Sequence, residues 1–213
     1  TFCALDHASL IWEQGHSIAI MGESGSGKST LARLMIGLER PSEGRVLING
    51  IDTTKWGLRE WRKYRGKIQA VFQDAGGTLN QAWSTFKNVE EALVNLTDLS
   101  STQRTERIIE LMEQTGLQKS LLDTPVRKLS GGEQRRLALL RSLSISPEFL
   151  ILDEVTAGLD LISTEAVLQL LEKYEQEHDC AYLVITHDLQ VASRLCEIIY
   201  EIEHGKIIRK AVR

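Results

Sequence analysis

A glycine-rich stretch at residues 22–30 has the composition of a phosphate-binding loop. Its sequence, GESGSGKST, fits the pattern G-x-x-x-x-G-K-[ST]. Glycines let successive backbone amides turn toward one phosphate chain, and the positive end of the following helix adds to the attraction. Lys28 would neutralise β- and γ-phosphate oxygens, and the Ser29 hydroxyl would ligate Mg²⁺. The alternative is a flexible turn before a helix, which does not require Lys-Ser at the helix start. The candidate phosphate-binding residues are Gly22, Glu23, Ser24, Gly25, Ser26, Gly27, Lys28, Ser29 and Thr30.

Two acidic residues follow a second apolar run. Residues 149–152 are apolar, and Asp153 and Glu154 come directly after them. Asp153 would hold Mg²⁺ through its water shell, and Glu154 would polarise the water that attacks a phosphate. Taken alone, the pair also fits the polar end of a strand before a turn, so its catalytic interpretation depends on the phosphate loop.

Two further polar side chains follow apolar runs. His187 comes after residues 181–185 and would contact a γ-phosphate, although a lone histidine is more often structural. Gln73 follows residues 68–72, where its amide would ligate Mg²⁺ and orient water, unless it is simply a surface glutamine. All four groups follow the carboxyl end of a predicted buried strand, and ligands bind at that edge of open α/β sheets.

A serine and two glycines before a helix-like run form the fifth candidate. Ser130, Gly131, Gly132 and Glu133 contain the S-x-x-E pattern of a capping box, which explains the serine and the glutamate. A capping box does not require two glycines, whereas a bare helix start lets a bulky phosphate approach closely. One chain is not expected to close this site and the phosphate loop on the same nucleotide.

The elements that would position these groups alternate between strands and helices. Short runs rich in Ile, Leu and Val are typical of parallel strands that are covered on both faces. The predicted strands span residues 17–21, 68–72, 149–152, 181–185 and 198–202. Apolar residues recur with helical spacing at Leu31, Leu34, Met35 and Leu38 and at Val167, Leu170, Leu171 and Tyr174. The alternation predicts an α/β fold with a parallel sheet.

Two regions interrupt this alternation. Residues 45–49 follow a turn and predict a strand of a small antiparallel layer. Residues 74–145 contain no convincing strand, which predicts a helical subdomain inserted into a core formed by about 1–73 and 146–213. Residues 203–206 have the composition of a hairpin turn. The chain is therefore expected to form a single domain of 213 residues.

The composition excludes a disordered tail, a collagen-like chain and a coiled coil. A hydrophobic content of 42% and a charged content of 25% are those of a globular domain with its own core. The net charge of −4 argues against a broad nucleic-acid face. A basic cluster with interleaved tryptophans at residues 56–67 could bind single strands, but a solvated face of the antiparallel layer fits the charge better.

Three features of the sequence indicate where the protein is located. No apolar run approaches the ~18 residues of a membrane span, and residues 1–10 lack the features of a secretion signal. The three cysteines form no CxxC pair and are expected to be reduced thiols.

In order and spacing, these motifs resemble those of an ATP-binding cassette (ABC) ATPase over nearly the whole chain. The resemblance assigns Walker A to residues 22–30, the Q-loop to Gln73, the signature to 129–133, Walker B to 150–154, the D-loop to Asp160 and the switch histidine to His187. Within the family, the residue sequences of these motifs are most similar to those of the oligopeptide, dipeptide and nickel importer branch.

The resemblance implies a P-loop NTPase (RecA-like) core and a head-to-tail dimer with a second ABC ATPase subunit, identical or related. Two ATP molecules would lie between Walker A of one subunit and the signature of the other. Ser130 and Gly132 would then contact the γ-phosphate bound to the partner, and Asp160 would cross the interface. Mg²⁺ would be held by Ser29, Gln73 and Asp153, and Glu154 would act as the catalytic base.

The resemblance also implies partners at a membrane. Transmembrane permease subunits would dock near residues 74–84, and an extracytoplasmic substrate-binding protein would act indirectly. The chain would then lie at the cytoplasmic face of the membrane. A soluble ABC ATPase of repair, translation or regulation is the alternative. Repair members carry a long coiled coil between Walker A and signature, whereas Lys28 and Ser130 are only 102 positions apart. Translation members carry two cassettes.

Three residues depart from the family pattern. Glu133 stands where glutamine is commoner, Val155 where proline is usual, and Gly158 where the D-loop usually has alanine. None of them removes a catalytic group, but each is expected to tune closure of the dimer. An acid beside a phosphate should repel it unless the acid folds back as a helix cap. Phe2 is the candidate for stacking on adenine.

Overall fold

A six-stranded sheet forms the centre of the fold and contains all five predicted core strands. The computed structural model describes residues 3–74 and 76–212, so Phe2 lies outside the described residues. The strands are β1 (Ile18–Met21), β2 (Leu47–Ile48), β3 (Ile51–Asp52), β4 (Ile68–Val71), β5 (Phe149–Asp153), β6 (Ala181–Ile185), β7 (Ile198–Glu203) and β8 (Lys206–Val212). Their order in the main sheet is β4-β5-β6-β1-β7-β8. The first five strands in this order are parallel to one another, and β8 pairs antiparallel with β7.

Seven α-helices occupy the described residues. They are α1 (Lys28–Met35), α2 (Leu58–Tyr64), α3 (Thr85–Leu96), α4 (Ser101–Gln114), α5 (Gly131–Ser144), α6 (Leu161–His178) and α7 (Leu189–Leu195). Helices α3, α4 and α5 follow β4 and precede β5, and the described part of that segment contains no strand. Among the described residues, none of the helices has both the length and the apolarity that crossing a bilayer requires.

Apolar side chains cover both faces of the sheet, as the continuous apolar runs predict. On one face, Leu150 and Leu152 of β5 join a buried cluster that includes residues of α3, α4, α5 and α6. On the other face, Ile151 packs with Leu31 and Ala32 of α1. The side chains of a strand alternate between faces, so one apolar strand contributes to both clusters.

The hairpin turn predicted at residues 203–206 is confirmed, because Glu203 pairs with Lys206 across β7 and β8. His204 and Gly205 have φ values of 46° and 79°, as a tight two-residue turn requires. The small antiparallel layer is a hairpin of two short strands, in which Leu47 pairs with Asp52 and Ile48 with Ile51.

Two expectations were wrong. Helix α1 ends at Met35, so Leu38 lies beyond the helix and is 51% exposed. The chain turns at Gly37, where φ is 70° and a Cβ atom would lie 2.1 Å from the Trp61 ring. The basic cluster lies mainly on helix α2 and not on the antiparallel layer.

Candidate active site

The phosphate loop connects β1 to α1, and two of its glycines admit no other residue. Gly22 and Gly27 have φ values of 151° and 106°. A Cβ atom on Gly22 would lie 2.2 Å from the backbone oxygen of Ile202, and one on Gly27 would lie 2.3 Å from that of Ala4. Backbone atoms cannot move aside cheaply, so the loop conformation requires glycine at both positions.

Two segments, one near each end of the described chain, support the phosphate loop through backbone hydrogen bonds. The Gly205 amide in the β7–β8 turn donates to the Ser26 carbonyl oxygen at 3.0 Å. The Asp6 amide in turn donates to the Gly205 carbonyl oxygen at 2.8 Å. These contacts fix the position of the loop relative to β7 and to the segment that contains Ala4.

Lys28 extends its ammonium group across the phosphate loop. Its Nζ donates to the carbonyl oxygens of Gly22 at 2.8 Å and Glu23 at 2.6 Å. Burial lowers the pKa of Lys28, and the nearby carboxylates of Glu154 and Asp153 partly oppose that shift. The site thus concentrates one cation between a glycine-rich backbone and two acids.

Ser29 and Asp153 are brought together from positions far apart in the sequence. The Ser29 Oγ donates to the Asp153 Oδ2 at 3.0 Å, because β5 ends beside the start of α1. Asp153 is buried, and desolvation raises its pKa. Hydroxyl and carboxylate oxygens are ligands that Mg²⁺ accepts, so this pair fits the metal that the sequence predicts.

Gln73 follows β4, which neighbours β5 in the sheet, and its side chain is exposed. Among the described residues, no cluster of three or more His, Cys, Asp or Glu side chains could hold a metal by itself. Mixed oxygen ligands from Ser29, Gln73, Asp153 and a nucleotide are the set that the sequence predicts for a Mg²⁺ ion here.

Glu154 and His187 form a hydrogen-bonded pair at the same edge. The His187 Nδ1 lies 3.0 Å from the Glu154 Oε1, and this hydrogen bond raises the pKa of the histidine. Glu154 has a φ of 53°, and its amide donates to the Ile185 carbonyl oxygen at 2.9 Å. This contact joins the ends of β5 and β6, so two of the predicted catalytic side chains touch.

The start of helix α5 is a closed capping box. The Ser130 amide donates to Glu133 Oε2 at 2.7 Å, and the Ser130 hydroxyl donates to the same oxygen at 2.8 Å. These two bonds lower the pKa of Glu133. Glu133 thus folds back as a cap. Apart from its own helix, a Cβ atom on Gly131 or Gly132 would meet no atom of residues 3–74 and 76–212 within 4 Å.

The loop after Glu154 leads to Asp160, which caps α6. The Asp160 Oδ1 accepts from the Ser163 amide at 2.8 Å. Gly158, in the same loop, has a φ of 71°, a conformation that alanine adopts poorly. The Arg135 side chain in α5 donates to the Ala157 carbonyl oxygen. This link is not predictable from the sequence, because no local pattern connects a helix residue to a loop 22 positions away.

Comparison with known proteins gives one family and consistent relatives. The family model described as ABC transporter matches residues 5–157. A nickel import ATP-binding protein NikE of Rhodospirillum rubrum is 36% identical over 207 residues, covering 97% of this chain and 75% of that protein. NikE of Brucella abortus is 38% identical over 197 residues, covering 92% and 74%.

Two solved structures have the same fold. The ATP-binding cassette MJ0796, in a dimeric post-hydrolysis state bound to ADP and Pi, superposes with a TM-score of 0.91 at 33% identity. That match covers 98% of this chain and 90% of the other. The structure of cbiO1 from Clostridium perfringens, part of the complex cbiONQ, gives a TM-score of 0.84 at 31% identity, covering 98% and 82%.

Proposed function

The chain belongs to the ABC transporter family and is an ATP-binding cassette ATPase, and from that premise we propose that it is the energy-coupling subunit of an importer. Nickel, other metal chelates and peptides are the proposed cargoes. The names of the NikE relatives favour nickel among them. The proposed partners are a second ABC ATPase subunit and transmembrane permease subunits, with an extracytoplasmic substrate-binding protein acting indirectly.

The observation that carries this proposal is the meeting of Ser29 with Asp153 and of Glu154 with His187 at one edge of the sheet. A triphosphate on the loop would exchange the carbonyl partners of Lys28 for β- and γ-phosphate oxygens. Mg²⁺, when bound, would offset phosphate charge. Glu154 would take a proton from the attacking water, and His187 would hold Glu154 in position before contacting the γ-phosphate.

Glycines at the start of α5 support a site shared between two subunits. Glycine near a helix start costs up to about 1 kcal/mol relative to alanine, and none of the described residues lies close enough to require it at Gly131 or Gly132. A phosphate that approaches from another subunit would require it. On closure, Ser130 would turn its hydroxyl from Glu133 to that phosphate, and Asp160 would face the partner.

A mostly apolar cavity that reaches Phe72, the residue before Gln73, supports docking of a permease subunit. It has a volume of about 170 Å³ and is lined in part by Ile36, Leu38, Tyr64 and Phe72. Its closeness to Gln73 would let movement of the permease reach the catalytic edge. Such docking would hold the chain at the cytoplasmic face of the membrane.

Purification from native membranes after mild cross-linking tests the proposal. The expected result is recovery of a protein with several membrane spans, together with ATP hydrolysis by the complex. Recovery with ribosomes or with DNA, and without such a protein, would favour the soluble alternative. The Arg194→Gln variant, which disturbs only the contact between α6 and α7, serves as a structural control.

A further inference from the structure

Helix α2 presents an outward face made of cations and one leucine. Arg59, Arg62, Lys63 and Arg65 are all exposed, and we call them the basic face. Leu58, at the start of the helix, is 85% exposed. Trp61, by contrast, is buried and lies over Gly37. With 3.6 residues per turn, the four cations and Leu58 share one side of the helix.

No residue of the basic face has an acidic partner among the described residues. Glu60, the only acid on α2, instead accepts from the Gly57 amide at 2.9 Å and so caps the helix. Elsewhere in the molecule, five arginines are paired with acids, among them Arg141 with Glu91 and Arg194 with Glu172. Acids outnumber bases in the chain by 29 to 25, so lack of acids does not explain the unpaired face.

Positive charge is concentrated in this part of the sequence. Residues 40–67 contain eight basic and three acidic residues, a net charge of +5. Since the whole chain carries −4, the remaining residues carry −9. Such an asymmetry directs one side of a molecule toward an anionic surface even though its net charge is negative.

Aromatic packing holds the basic face in its outward orientation. The Trp56 ring lies 5.2 Å from Trp61 and 4.5 Å from Tyr64, measured between ring centroids. Arg59, Arg62 and Lys63 line neither of the two cavities that flank α2, whereas Leu58 lines one of them and Arg65 lines both. Arg59, Arg62 and Lys63 are thus long, exposed cationic side chains outside any cavity, which suits a broad array of anions better than a single peptide in a groove.

We propose that the basic face and Leu58 bind the anionic headgroups of a membrane surface. Cations near such a surface are attracted to its negative potential, and an exposed leucine adds apolar contact at the headgroup boundary. Nucleic acid would use the cations but not Leu58. The proposal rests on the proposed function only in that an importer subunit works at a membrane, and it requires no nucleotide.

Flotation with protein-free vesicles tests this inference. Vesicles of phosphatidylcholine with about 30% phosphatidylglycerol are compared with vesicles of phosphatidylcholine alone, at low and high salt. We expect binding to the anionic vesicles only, weakening as salt rises. Each lost cation should weaken binding about 5-fold, so the combined variant Arg59→Gln, Arg62→Gln, Lys63→Gln should bind about 10²-fold more weakly. Leu58→Ser should weaken binding by roughly 3- to 10-fold.

A second triple variant removes the same charge from other places. Arg127→Gln, Lys173→Gln and Arg209→Gln replace exposed cations outside the basic face and should leave vesicle binding within about 2-fold. Equal loss of binding in both triple variants would overturn the proposal, as would binding that ignores phosphatidylglycerol. Binding by the wild type only to vesicles that contain a membrane protein, or only to single-stranded DNA, would assign the face to another partner and also overturn it.

Failure of this inference is distinguishable from failure of the proposed function. Vesicle binding is measured without ATP, and ATP hydrolysis is measured without vesicles. Normal hydrolysis and normal recovery of a permease, combined with no vesicle binding, would overturn the membrane surface alone. Vesicle binding by the basic face, combined with recovery on ribosomes, would overturn only the importer assignment.

Discussion

The phosphate loop and the start of helix α5 both place glycines where a phosphate would bind, but for different physical reasons. At Gly22 and Gly27 a side chain would collide with backbone oxygens of Ile202 and Ala4, so the fold itself requires glycine. At Gly131 and Gly132 an added Cβ atom would meet no atom of the described residues within 4 Å. One half of the proposed nucleotide site is therefore determined within this chain, whereas the other half depends on what approaches from outside.

The largest expected effect concerns the half-site that this chain completes by itself. Replacing Glu154 with glutamine removes the general base and should lower the kcat of ATP hydrolysis by about 10²–10⁴-fold, while ATP binding persists. Steady-state hydrolysis and equilibrium nucleotide binding measure the two quantities. Glu177→Gln, an exposed acid on α6, is the matched control. Hydrolysis at the wild-type rate by Glu154→Gln would contradict the assigned role.

Gly132→Ala tests the half-site that is open to the outside. The added methyl group would block close approach of a phosphate, so ATP-dependent dimerisation should weaken by roughly 10- to 100-fold. The monomer should keep its Tm or gain up to about 4 °C, because alanine favours helix. Light scattering and thermal melting measure these two properties. Unchanged dimerisation would show that nothing approaches this helix start.

Gly22→Ala should have the opposite signature. Its Cβ atom would lie 2.2 Å from the Ile202 backbone oxygen, so the monomer itself should lose about 1–3 kcal/mol of stability. For a chain of this size, the Tm should fall by roughly 3–10 °C. Gly44→Ala is the control, since its φ of 81° is also positive but its surroundings are open. Equal melting of both variants would mean that backbone strain, and not collision, dominates.

Glu133→Gln should have a smaller effect on the same open half-site. Glutamine keeps the capping pattern but removes a negative charge from beside Ser130. The ATP concentration for half-maximal dimerisation should therefore fall by about 3- to 10-fold, as expected for the loss of one partly screened repulsion. Glu106→Gln, an exposed acid on α4, should change nothing. Weaker dimerisation in Glu133→Gln would argue that the acid assists closure.

The smallest expected effect is the titration of His187. The hydrogen bond to Glu154 raises the pKa of His187 above 6.5, so the stabilisation from this pair is present below pH 6.5 and is lost as pH rises through the raised value. In Glu154→Gln the pKa should return toward 6.5, as measured by NMR of the imidazole. His16, whose pKa is raised by Glu197, is an internal control that should not change. An unchanged His187 titration would refute the contact.

Sequence patterns predicted those elements whose own residues show that they are buried. Strands β5 and β6 were predictable because nearly every side chain in them is apolar and buried. Strand β8 was implied only by the hairpin turn before it, because an edge strand with mostly exposed residues has no such apolar pattern. Leu38 continues a helical stripe in the sequence, but the chain turns at Gly37. The Trp61 ring that packs there comes from another part of the sequence.

The same distinction applies to the candidate site. The contacts of Ser29 with Asp153 and of Glu154 with His187 follow from the rule that the carboxyl ends of parallel strands share one edge. The Ser130–Glu133 box is local and readable from its spacing. Two other contacts join segments that are far apart in the sequence, so no sequence spacing predicts them. They are the contact of Arg135 with Ala157 and that of Ala4 with Gly27.

The position of β1 in the sheet has a consequence for biosynthesis. Both of its neighbours, β6 and β7, come from far along the chain: Ile18 pairs with Leu183 on one side and with Ile198 on the other. At about 5–20 residues per second, a ribosome needs roughly 10–30 s to make that intervening polypeptide. Throughout that time both edges of an apolar strand lack their native partners. Nascent chains are therefore expected to need chaperone protection until translation is nearly complete.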